Sequence, residues 1–316
     1  MINRSGPRRD AILLMGPTGA GKSELALRLC EVLTLEIISV DSAMVYRGMD
    51  IGTAKPDAAT RARIPHHLID IRNPAESYSA GRFVLDAAEA AQGIWSRGKT
   101  PLLVGGTMLY FHALTEGIAS LPRADPALRA AIDAEAGLVG WTEMHHRLAQ
   151  VDPQAAARIH ANDPQRIQRA LEVYRLTGQS LTSLRETRVS AFADANLIEF
   201  AIAPLERRDL HTRIGERFSA MMKAGLLEEV RRIRDRGEVT AEHPAMRAVG
   251  YRQLWRHLSG LCSLPEAEEL AIVATRQLAK RQFTWLRRRG NAQWFDSMHP
   301  EAAAKILDAL SKCGRS

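Results

Sequence analysis

The residue pattern with the clearest chemical meaning lies close to the N-terminus. It matches G-x-x-x-x-G-K-[ST] and consists of Gly16, Pro17, Thr18, Gly19, Ala20, Gly21, Lys22 and Ser23. Glycines let backbone N–H groups turn toward phosphate oxygens, and a helix that starts there adds the positive end of its dipole. Lys22 can reach the terminal phosphates, and Ser23 can hold Mg²⁺. The loop predicts binding of a diphosphate or triphosphate with Mg²⁺ as cofactor, and leaves open which one.

Two polar side chains follow apolar runs that predict strands. Asp41 comes after Ile37–Val40, and Thr107 comes after Pro101–Val104 and two glycines. Ligands bind at the carboxyl ends of parallel strands, so we expect both side chains at the edge that carries the phosphate loop. Asp41 can bind Mg²⁺ through water or accept a proton from a nucleophile, or it caps the next segment. The Thr107 hydroxyl can contact phosphate or nucleophile, or belong to a turn.

The excess of positive charge lies in the C-terminal part of the chain. The formal net charge is +7, and residues 205–290 hold 18 basic and 11 acidic side chains. A basic surface of this kind suits a polyanionic partner, RNA or DNA. Two shorter segments, Gln165–Arg169 and Arg247–Arg252, repeat the theme, and in the second Tyr251 lies between arginines. Each segment alone is more typical of a solvated face than of a nucleic-acid site, and only together do the segments favour RNA or DNA binding.

Residues Ala271–Leu286 have the period of a helix with two different sides. At roughly 100° per residue around the helix axis, the residues of this segment separate into one stripe and the opposite side of the helix. The stripe holds Arg276, Lys280, Phe283 and Arg287, and the opposite side holds Ala271, Ala274, Leu278 and Trp285. We expect the second side to pack on the core, while the stripe offers cations to phosphates and an aromatic ring to an exposed base.

These residues must be positioned by alternating strands and helices. The pattern predicts strands at Ala11–Met15, Ile37–Val40, Leu68–Ile71, Pro101–Val104, Leu197–Ala203 and Gln293–Phe295. Helical patterns at Leu25–Leu33 and Ser79–Arg97 lie between them. This rhythm predicts an α/β fold with a parallel sheet and helices on both faces.

The pattern changes near Leu121. From Ala127 to Leu184 only helices are expected, and the Asp-Pro pairs at Pro126, Pro153 and Pro164 suit helix starts. We interpret residues 122–196 as a helical insertion domain and residues 1–121 with 197–316 as the α/β core. A separate C-terminal domain is the alternative.

Composition excludes several other classes of protein. The chain has 316 residues, of which 46% are hydrophobic and 25% charged, which is typical of a globular protein. No apolar run approaches the ~20 residues of a membrane span, and no secretory signal is recognisable, so we expect no membrane partner. The three cysteines form no C-x-x-C pair, which argues against a disulfide framework or a zinc site. A cytoplasmic location fits best.

Several longer strings resemble a known family. Asp41–Pro56, Leu103–Tyr110, Asn162–Arg166, Ala248–Gln253 and Thr275–Arg287, together with the phosphate loop, are similar to the bacterial tRNA dimethylallyltransferases. The resemblance covers about Leu13 to Phe295. It implies a P-loop NTPase-like core with an inserted helical domain that contacts tRNA. It also implies transfer of a dimethylallyl group from dimethylallyl diphosphate to the N6 amine of the adenosine 3′ to the anticodon, with release of diphosphate.

The resemblance also implies roles for individual residues. Asp41 would orient the amine and take its proton, with help from Thr107, while the phosphate loop and Arg217 would hold the diphosphate with Mg²⁺. The tRNA anticodon stem-loop would contact Asp41, Ser42, Ala43, Met44, Thr107, Arg129, Gln165, Arg166, Ile167, Gln168, Arg169, Arg247, Ala248, Val249, Gly250, Tyr251, Arg252, Lys280, Arg281, Gln282, Phe283, Thr284, Trp285, Leu286 and Arg287. Nothing in the sequence requires more than a monomer.

Other functions share parts of this pattern. A small-molecule kinase would use the phosphate loop and Asp41 but would need no basic helix. A nucleotide-sensing RNA-binding protein would use the basic segments but give Asp41 no task. An adenylate isopentenyltransferase would share the donor site and act on free nucleotides, against which the basic surface argues.

Overall fold

One parallel sheet organises the chain. The computed structural model describes residues 9–117, 119, 121–185 and 190–313. Within them the strands are β1 (Asp10–Met15), β2 (Leu35–Val40), β3 (His66–His67), β4 (Thr100–Gly105), β5 (Asn196–Ala203) and β6 (Gln293–Asp296). They are parallel and lie in the order β3–β2–β4–β1–β5–β6. The α/β fold with a P-loop-like core is confirmed.

Helices connect the strands. The first four are α1 (Lys22–Val32), α2 (Ala58–Arg63), α3 (Ala80–Ser96) and α4 (Met108–Glu116). Those before β5 are α5 (Pro126–Val139), α6 (Trp141–Val151), α7 (Pro153–Arg158), α8 (Pro164–Thr177) and α9 (Leu181–Arg185). Those after β5 are α10 (Arg207–Lys223), α11 (Leu226–Asp235), α12 (Tyr251–Leu258), α13 (Leu264–Leu286) and α14 (Ala302–Cys313), and a 3₁₀ turn covers Pro244–Arg247. No described helix is both long and apolar enough to cross a membrane.

Both faces of the sheet are buried. On one face, Leu14 and Leu102 pack in a cluster with Leu29 of α1 and Ile306 of α14. Successive side chains of a strand alternate between faces, so Leu13 points the other way, and it is 1% exposed. Strands covered on both faces form nearly continuous apolar runs, which explains why the sequence revealed β1, β2 and β4.

The predicted third strand at Leu68–Ile71 is wrong. The strand consists of His66–His67, and Leu68 and Asp70 have positive φ values of 64° and 58°. An extended strand needs negative φ, so the chain turns there instead of continuing. The turn places Asp70 between Lys55 and Arg61, with 2.6 Å between charged N and O atoms in each pair.

A second compact unit comprises Ala113–Ala193, and the residues up to His112 form the other unit with those from Asp194 onward. The sequence placed the insertion at 122–196, whereas the observed unit begins earlier, within α4. The alternative of a separate C-terminal domain is wrong, because β5 and β6 complete the sheet that β1 begins.

The predicted helix starts within the second unit are confirmed. Helices α5, α7 and α8 begin at the three prolines, and each preceding aspartate accepts hydrogen bonds from backbone N–H groups of the first turn. The core of this unit is apolar and includes Ile132, Leu148, Ile167 and Val173.

Candidate active site

The phosphate loop joins β1 to α1, as its sequence predicts. Gly19 and Gly21 have φ values of 83° and 84°, a conformation that side chains other than glycine rarely adopt. Lys22 is the first residue of α1, and its Nζ donates a hydrogen bond to the Pro17 carbonyl oxygen at 2.8 Å. The ammonium group therefore lies against its own loop, at the positive end of the helix dipole.

Positive charge is concentrated beside this loop. Burial, together with the neighbouring Arg217, lowers the pKa of Lys22 to about 7, and Asp41 opposes the shift. Burial also lowers the pKa of Arg217. The neighbouring Asp41 raises this pKa, and Arg213 lowers it. Crowded, partly desolvated cations are stabilised by an anion, so the electrostatics favour a bound phosphate group.

Arg213 is a site residue that sequence reasoning missed. It lies one turn before Arg217 on α10, and a Cβ atom built on Gly21 would lie 3.4 Å from its Nη2. Residues four apart share a helix face, so the Arg-x-x-x-Arg spacing around the assigned Arg217 was the available signal. Arg213 is thus a second guanidinium group beside the loop, and its Nη1 donates a hydrogen bond to Met298 Sδ at 2.9 Å.

Asp41 and Thr107 lie together at the carboxyl ends of β2 and β4. Asp41 Oδ1 accepts hydrogen bonds from the backbone N–H groups of Ala43 at 2.8 Å and Met44 at 3.3 Å. Within the described chain, Oδ2 makes no hydrogen bond. Thr107 Oγ1 accepts from the Ser42 N–H at 3.1 Å and donates to Ser42 Oγ at 3.4 Å. One oxygen of Asp41 therefore caps the turn, and the other can serve chemistry.

Two adjoining cavities open at this edge. The larger, of about 380 Å³, is lined by Asp41, Thr107 and Arg217 and by apolar side chains that include Leu109, Phe218 and Trp285. The smaller, of about 110 Å³, is lined by Lys22, Ser23 and Met44. Both are bordered by Thr18, Asp41, Thr53, Gly106, Arg217 and Gln282. A ligand held by the phosphate loop can therefore present its other end to Asp41.

The donor atoms of the smaller cavity suit a magnesium ion. Ser23 supplies a hydroxyl oxygen and Asp41 a carboxylate oxygen on the same cavity wall. Mg²⁺ prefers oxygen ligands and is usually held by one or two protein groups together with substrate phosphates. Among the described residues, no cluster of three or more His, Cys, Asp or Glu is placed to hold a metal ion.

The basic helix is oriented differently from the prediction. Phe283, expected on the exposed stripe, packs with Leu210 and Ile214 of α10. Trp285, expected in the core, is 39% exposed, lines the larger cavity and meets the His112 ring edge-on at 5.8 Å. Helix α10 covers the Phe283 side, which leaves the other aromatic ring at the cavity. Lys280, Arg281, Thr284 and Arg287 are exposed, as an RNA-binding surface requires.

Four residues assigned to tRNA have buried side chains. Ile167, Tyr251 and Leu286 are completely buried, and Gln282 is 8% exposed. Ile167, Tyr251 and Leu286 are enclosed by other parts of the chain, whereas Gln282 also lines both cavities, and the assignment of these four side chains to tRNA stays a prediction. In the same segment as Tyr251, Arg247 and Arg252 are exposed, and Ala248, Val249 and Gly250 line the larger cavity.

In the second unit, two predicted tRNA contacts are engaged in an internal ion-pair network. Arg129 forms a bidentate pair with the completely buried Glu172, at 2.9 and 3.0 Å. Arg169 binds the same carboxylate at 2.6 Å and donates to the Pro122 carbonyl oxygen. These arginines neutralise a buried charge, and their assignment to tRNA stays a prediction. Gln165 and Arg166 are exposed, and Gln168 donates to Asp133 at 2.6 Å.

A family model described as IPP transferase matches residues 44–289. A tRNA dimethylallyltransferase from Nitrosococcus oceani is 59% identical over 304 residues, which cover 95% of this chain and 97% of the relative. The chain belongs to the IPP transferase family.

Solved structures of the IPP transferase family have the same fold. The crystal structure of the full-length tRNA isopentenylpyrophosphate transferase from Bacillus halodurans is 36% identical, covers 96% of each chain and has a TM-score of 0.71. That of the tRNA delta(2)-isopentenylpyrophosphate transferase from Staphylococcus epidermidis is 32% identical and covers 98% of this chain and all of the other, with a TM-score of 0.69.

Proposed function

We propose that this protein transfers the dimethylallyl group of dimethylallyl diphosphate to the N6 amine of the adenosine 3′ to the anticodon of tRNA. The observation that carries the proposal is that the phosphate loop and Asp41 line the same cavity. A leaving diphosphate and a nucleophile can therefore meet there. The family relatives support tRNA as the acceptor and a prenyl diphosphate as the donor.

The cationic side chains act on the donor. Lys22, Arg217 and Arg213 surround the loop, where they bind the diphosphate and stabilise the charge that grows on it as its bond to the allylic carbon breaks. Ser23, and Asp41 through a water molecule, would hold Mg²⁺ together with the diphosphate, and the metal would supply further charge neutralisation. The apolar side chains of the cavities exclude water, which protects the allylic carbon from hydrolysis.

Asp41 acts on the acceptor. Its Oδ1 is engaged by two backbone N–H groups, which fixes the carboxylate and leaves Oδ2 for the exocyclic amine. As the N–C bond forms, the amine proton passes to this carboxylate. Thr107 and Ser42, hydrogen-bonded to each other, lie beside it and orient the nucleophile. A stacked base cannot enter, so the adenine must be turned out into the cavity.

The exposed cations of α13 hold the RNA. Lys280, Arg281 and Arg287 lie on the helix whose Trp285 lines the cavity, so the phosphate contacts and the reacting base belong to one surface. We further propose that the protein acts as a monomer.

The decisive test is product identification. The protein is incubated with labelled dimethylallyl diphosphate, Mg²⁺ and bulk tRNA, and the RNA is digested to nucleosides. We expect label in N6-dimethylallyladenosine, and little label with the Asp41→Asn variant. Label on free adenine nucleotides but not on tRNA, or ATP turnover without RNA, would replace the proposal by one of its rivals.

A further inference from the structure

A buried carboxylate on α11 holds a loop that lines both cavities. Glu229 is 2% exposed, and its Oε2 accepts hydrogen bonds from the backbone N–H groups of Asp50 at 2.9 Å and Ile51 at 2.8 Å. Its Oε1 accepts from the Gly52 N–H at 3.2 Å. Three consecutive backbone donors on one carboxylate fix the conformation of this loop, because charge-assisted hydrogen bonds are strong and directional.

The Glu229 carboxylate also bonds to a second part of the cavity wall. Tyr251 is completely buried, and its hydroxyl donates a hydrogen bond to Glu229 Oε1. Tyr251 directly follows Ala248–Gly250, which line the larger cavity. On the other side, Gly52 and Thr53 line that cavity, and Thr53 also lines the smaller one. One buried group is thus bonded to two separate pieces of cavity wall.

The two walls also fit each other closely. A Cβ atom at Gly52 would lie 2.5 Å from a ring carbon of Tyr251, so only glycine allows this approach. Burial and the Glu229 carboxylate raise the pKa of Tyr251 far above its ordinary value, so the phenol remains a donor throughout the pH range of assays. The Tyr251 hydroxyl therefore faces the carboxylate as a hydrogen-bond donor.

We propose that Glu229 is a positioning residue that keeps the loop 50–53 and the segment 248–250 in one arrangement, and so sets the shape of the reaction cavity. This inference rests on the proposed transferase function. Tyr251 lies in a segment that resembles a tRNA-binding string of the family. The proposal gives this residue a structural role, because its hydroxyl bonds to Glu229. A displacement of about 1 Å in a reacting pair can reduce a rate by roughly 10²-fold, so loss of this arrangement should affect chemistry more than RNA affinity.

The test compares two buried carboxylates. Glu229→Gln keeps the size of the side chain but places an NH₂ donor where only donors point, so the loop loses part of its support. Glu36→Gln is the matched control: Glu36 is 3% exposed and is held by Arg97, His67 and Lys99 near the start of β2, at the sheet edge opposite the cavities. Thermal unfolding, kcat, the donor KM and tRNA affinity are measured for both.

For Glu229→Gln we expect kcat/KM for the donor to fall about 10- to 100-fold while tRNA affinity changes less than about twofold. For Glu36→Gln at comparable loss of stability, we expect kcat and the donor KM to stay within about twofold of wild type. Equal kinetics for the two folded variants would overturn the proposal. Should Glu229→Gln not fold, Tyr251→Phe decides, because it removes only the hydroxyl: we expect a fall of about 3- to 10-fold in kcat/KM, and an unchanged value overturns the proposal.

Backbone amide exchange separates this inference from the proposed function. We expect the amides of Asp50, Ile51 and Gly52 to exchange faster in Glu229→Gln than in wild type and in Glu36→Gln. If wild-type protein transfers no prenyl group to tRNA, the proposed function fails. If exchange at these amides is the same in Glu229→Gln and wild type, the positioning role fails whatever the activity.

Discussion

The backbone N–H of Thr18 in the phosphate loop donates a hydrogen bond to the side-chain oxygen of Gln282 on α13, with 2.9 Å between nitrogen and oxygen. The amide nitrogen of the same glutamine donates to the Gly106 carbonyl oxygen at 2.8 Å. The helix that presents cations to solvent therefore also fixes the phosphate loop and the end of β4. The proposed RNA-binding surface and the proposed donor site thus share helix α13.

Gln282→Ala tests this connection. It removes the partner of the half-buried Thr18 N–H and that of the buried Gly106 carbonyl, and an unsatisfied buried group costs about 1–3 kcal/mol. We expect a lower unfolding free energy and a higher donor KM, measured by chemical denaturation and steady-state kinetics. Gln277→Ala, an exposed glutamine of the same helix, is the control and should match wild type. A donor KM equal to that of the control would show that the loop keeps its conformation unaided.

Lys22→Ala should reduce the rate of transfer about 10²-fold. The loss of one charge-assisted contact to the leaving diphosphate costs about 3 kcal/mol in the transition state. Single-turnover rates at saturating donor and tRNA measure the effect. Lys312→Ala removes an exposed charge from α14 and serves as the control. A Lys22→Ala rate within about twofold of wild type would remove this lysine from the donor site.

Donor binding should depend on pH through Lys22. Its pKa is lowered to about 7, so above pH 7 a growing fraction is neutral in the free protein. A diphosphate favours the ammonium form, so binding takes up a proton and donor affinity falls as pH rises from 7.5 to 9, by at most about tenfold per pH unit. Calorimetry in buffers of different ionisation enthalpy measures the proton uptake. The Lys22→Arg variant, which stays charged, should show none, and equal uptake by both proteins would contradict the assignment.

Asp41→Asn separates the two tasks of this side chain. The asparagine oxygen can still accept from Ala43 and Met44, but the amide cannot take a proton, so we expect a fall of about 10²- to 10⁴-fold in the single-turnover rate with little change in tRNA affinity. Asp57→Asn, which alters an aspartate that caps α2, is the control. Lost affinity with an unchanged rate at saturation would make Asp41 a binding residue.

Lys280 and Arg287 should bind RNA through counterion release. Replacing both by Ala should weaken tRNA binding and flatten the plot of log affinity against log salt by up to roughly two times 0.7–0.9. Donor affinity should not change. The control removes two exposed lysines of α14, Lys305 and Lys312. Parallel salt plots for wild type and the Lys280/Arg287 variant would show that this surface lies outside the RNA interface.

Rules that relate neighbouring residues to local structure predicted the fold correctly wherever one short segment decides the structure. The phosphate loop, the buried strands and the Asp-Pro helix starts follow from residues adjacent in sequence. The false strand at Leu68–Ile71 shows the limit of such rules. Its apolar residues resemble a strand, but Asp70 turns toward Lys55 and Arg61, which the sequence separates from it by up to 15 positions.

Orientation of the site residues depended on distant partners. The helical period correctly separates Phe283 from Trp285, but it does not say which side another helix covers, and Leu210 and Ile214 of α10 decide this. Tyr251 has arginines on both sides in sequence and is nevertheless buried, because its ring packs in an apolar cluster and its hydroxyl donates a hydrogen bond to Glu229. Neither partner is recognisable from the local pattern.

The strand order has a consequence for synthesis on the ribosome. β1 lies between β4 and β5 in the sheet. The strand that leads into the phosphate loop therefore gains its neighbour β4 early in synthesis and its neighbour β5 late. At ~5–20 residues per second, the chain between Gly105 and Asn196 takes roughly 5–20 s to emerge. During that interval one edge of β1 has no partner strand. At this unpaired edge a nascent chain can be bound by chaperones or pair with a wrong strand. A translational pause just before Asn196 should prolong this vulnerable period, and a pause after Asp296 should not.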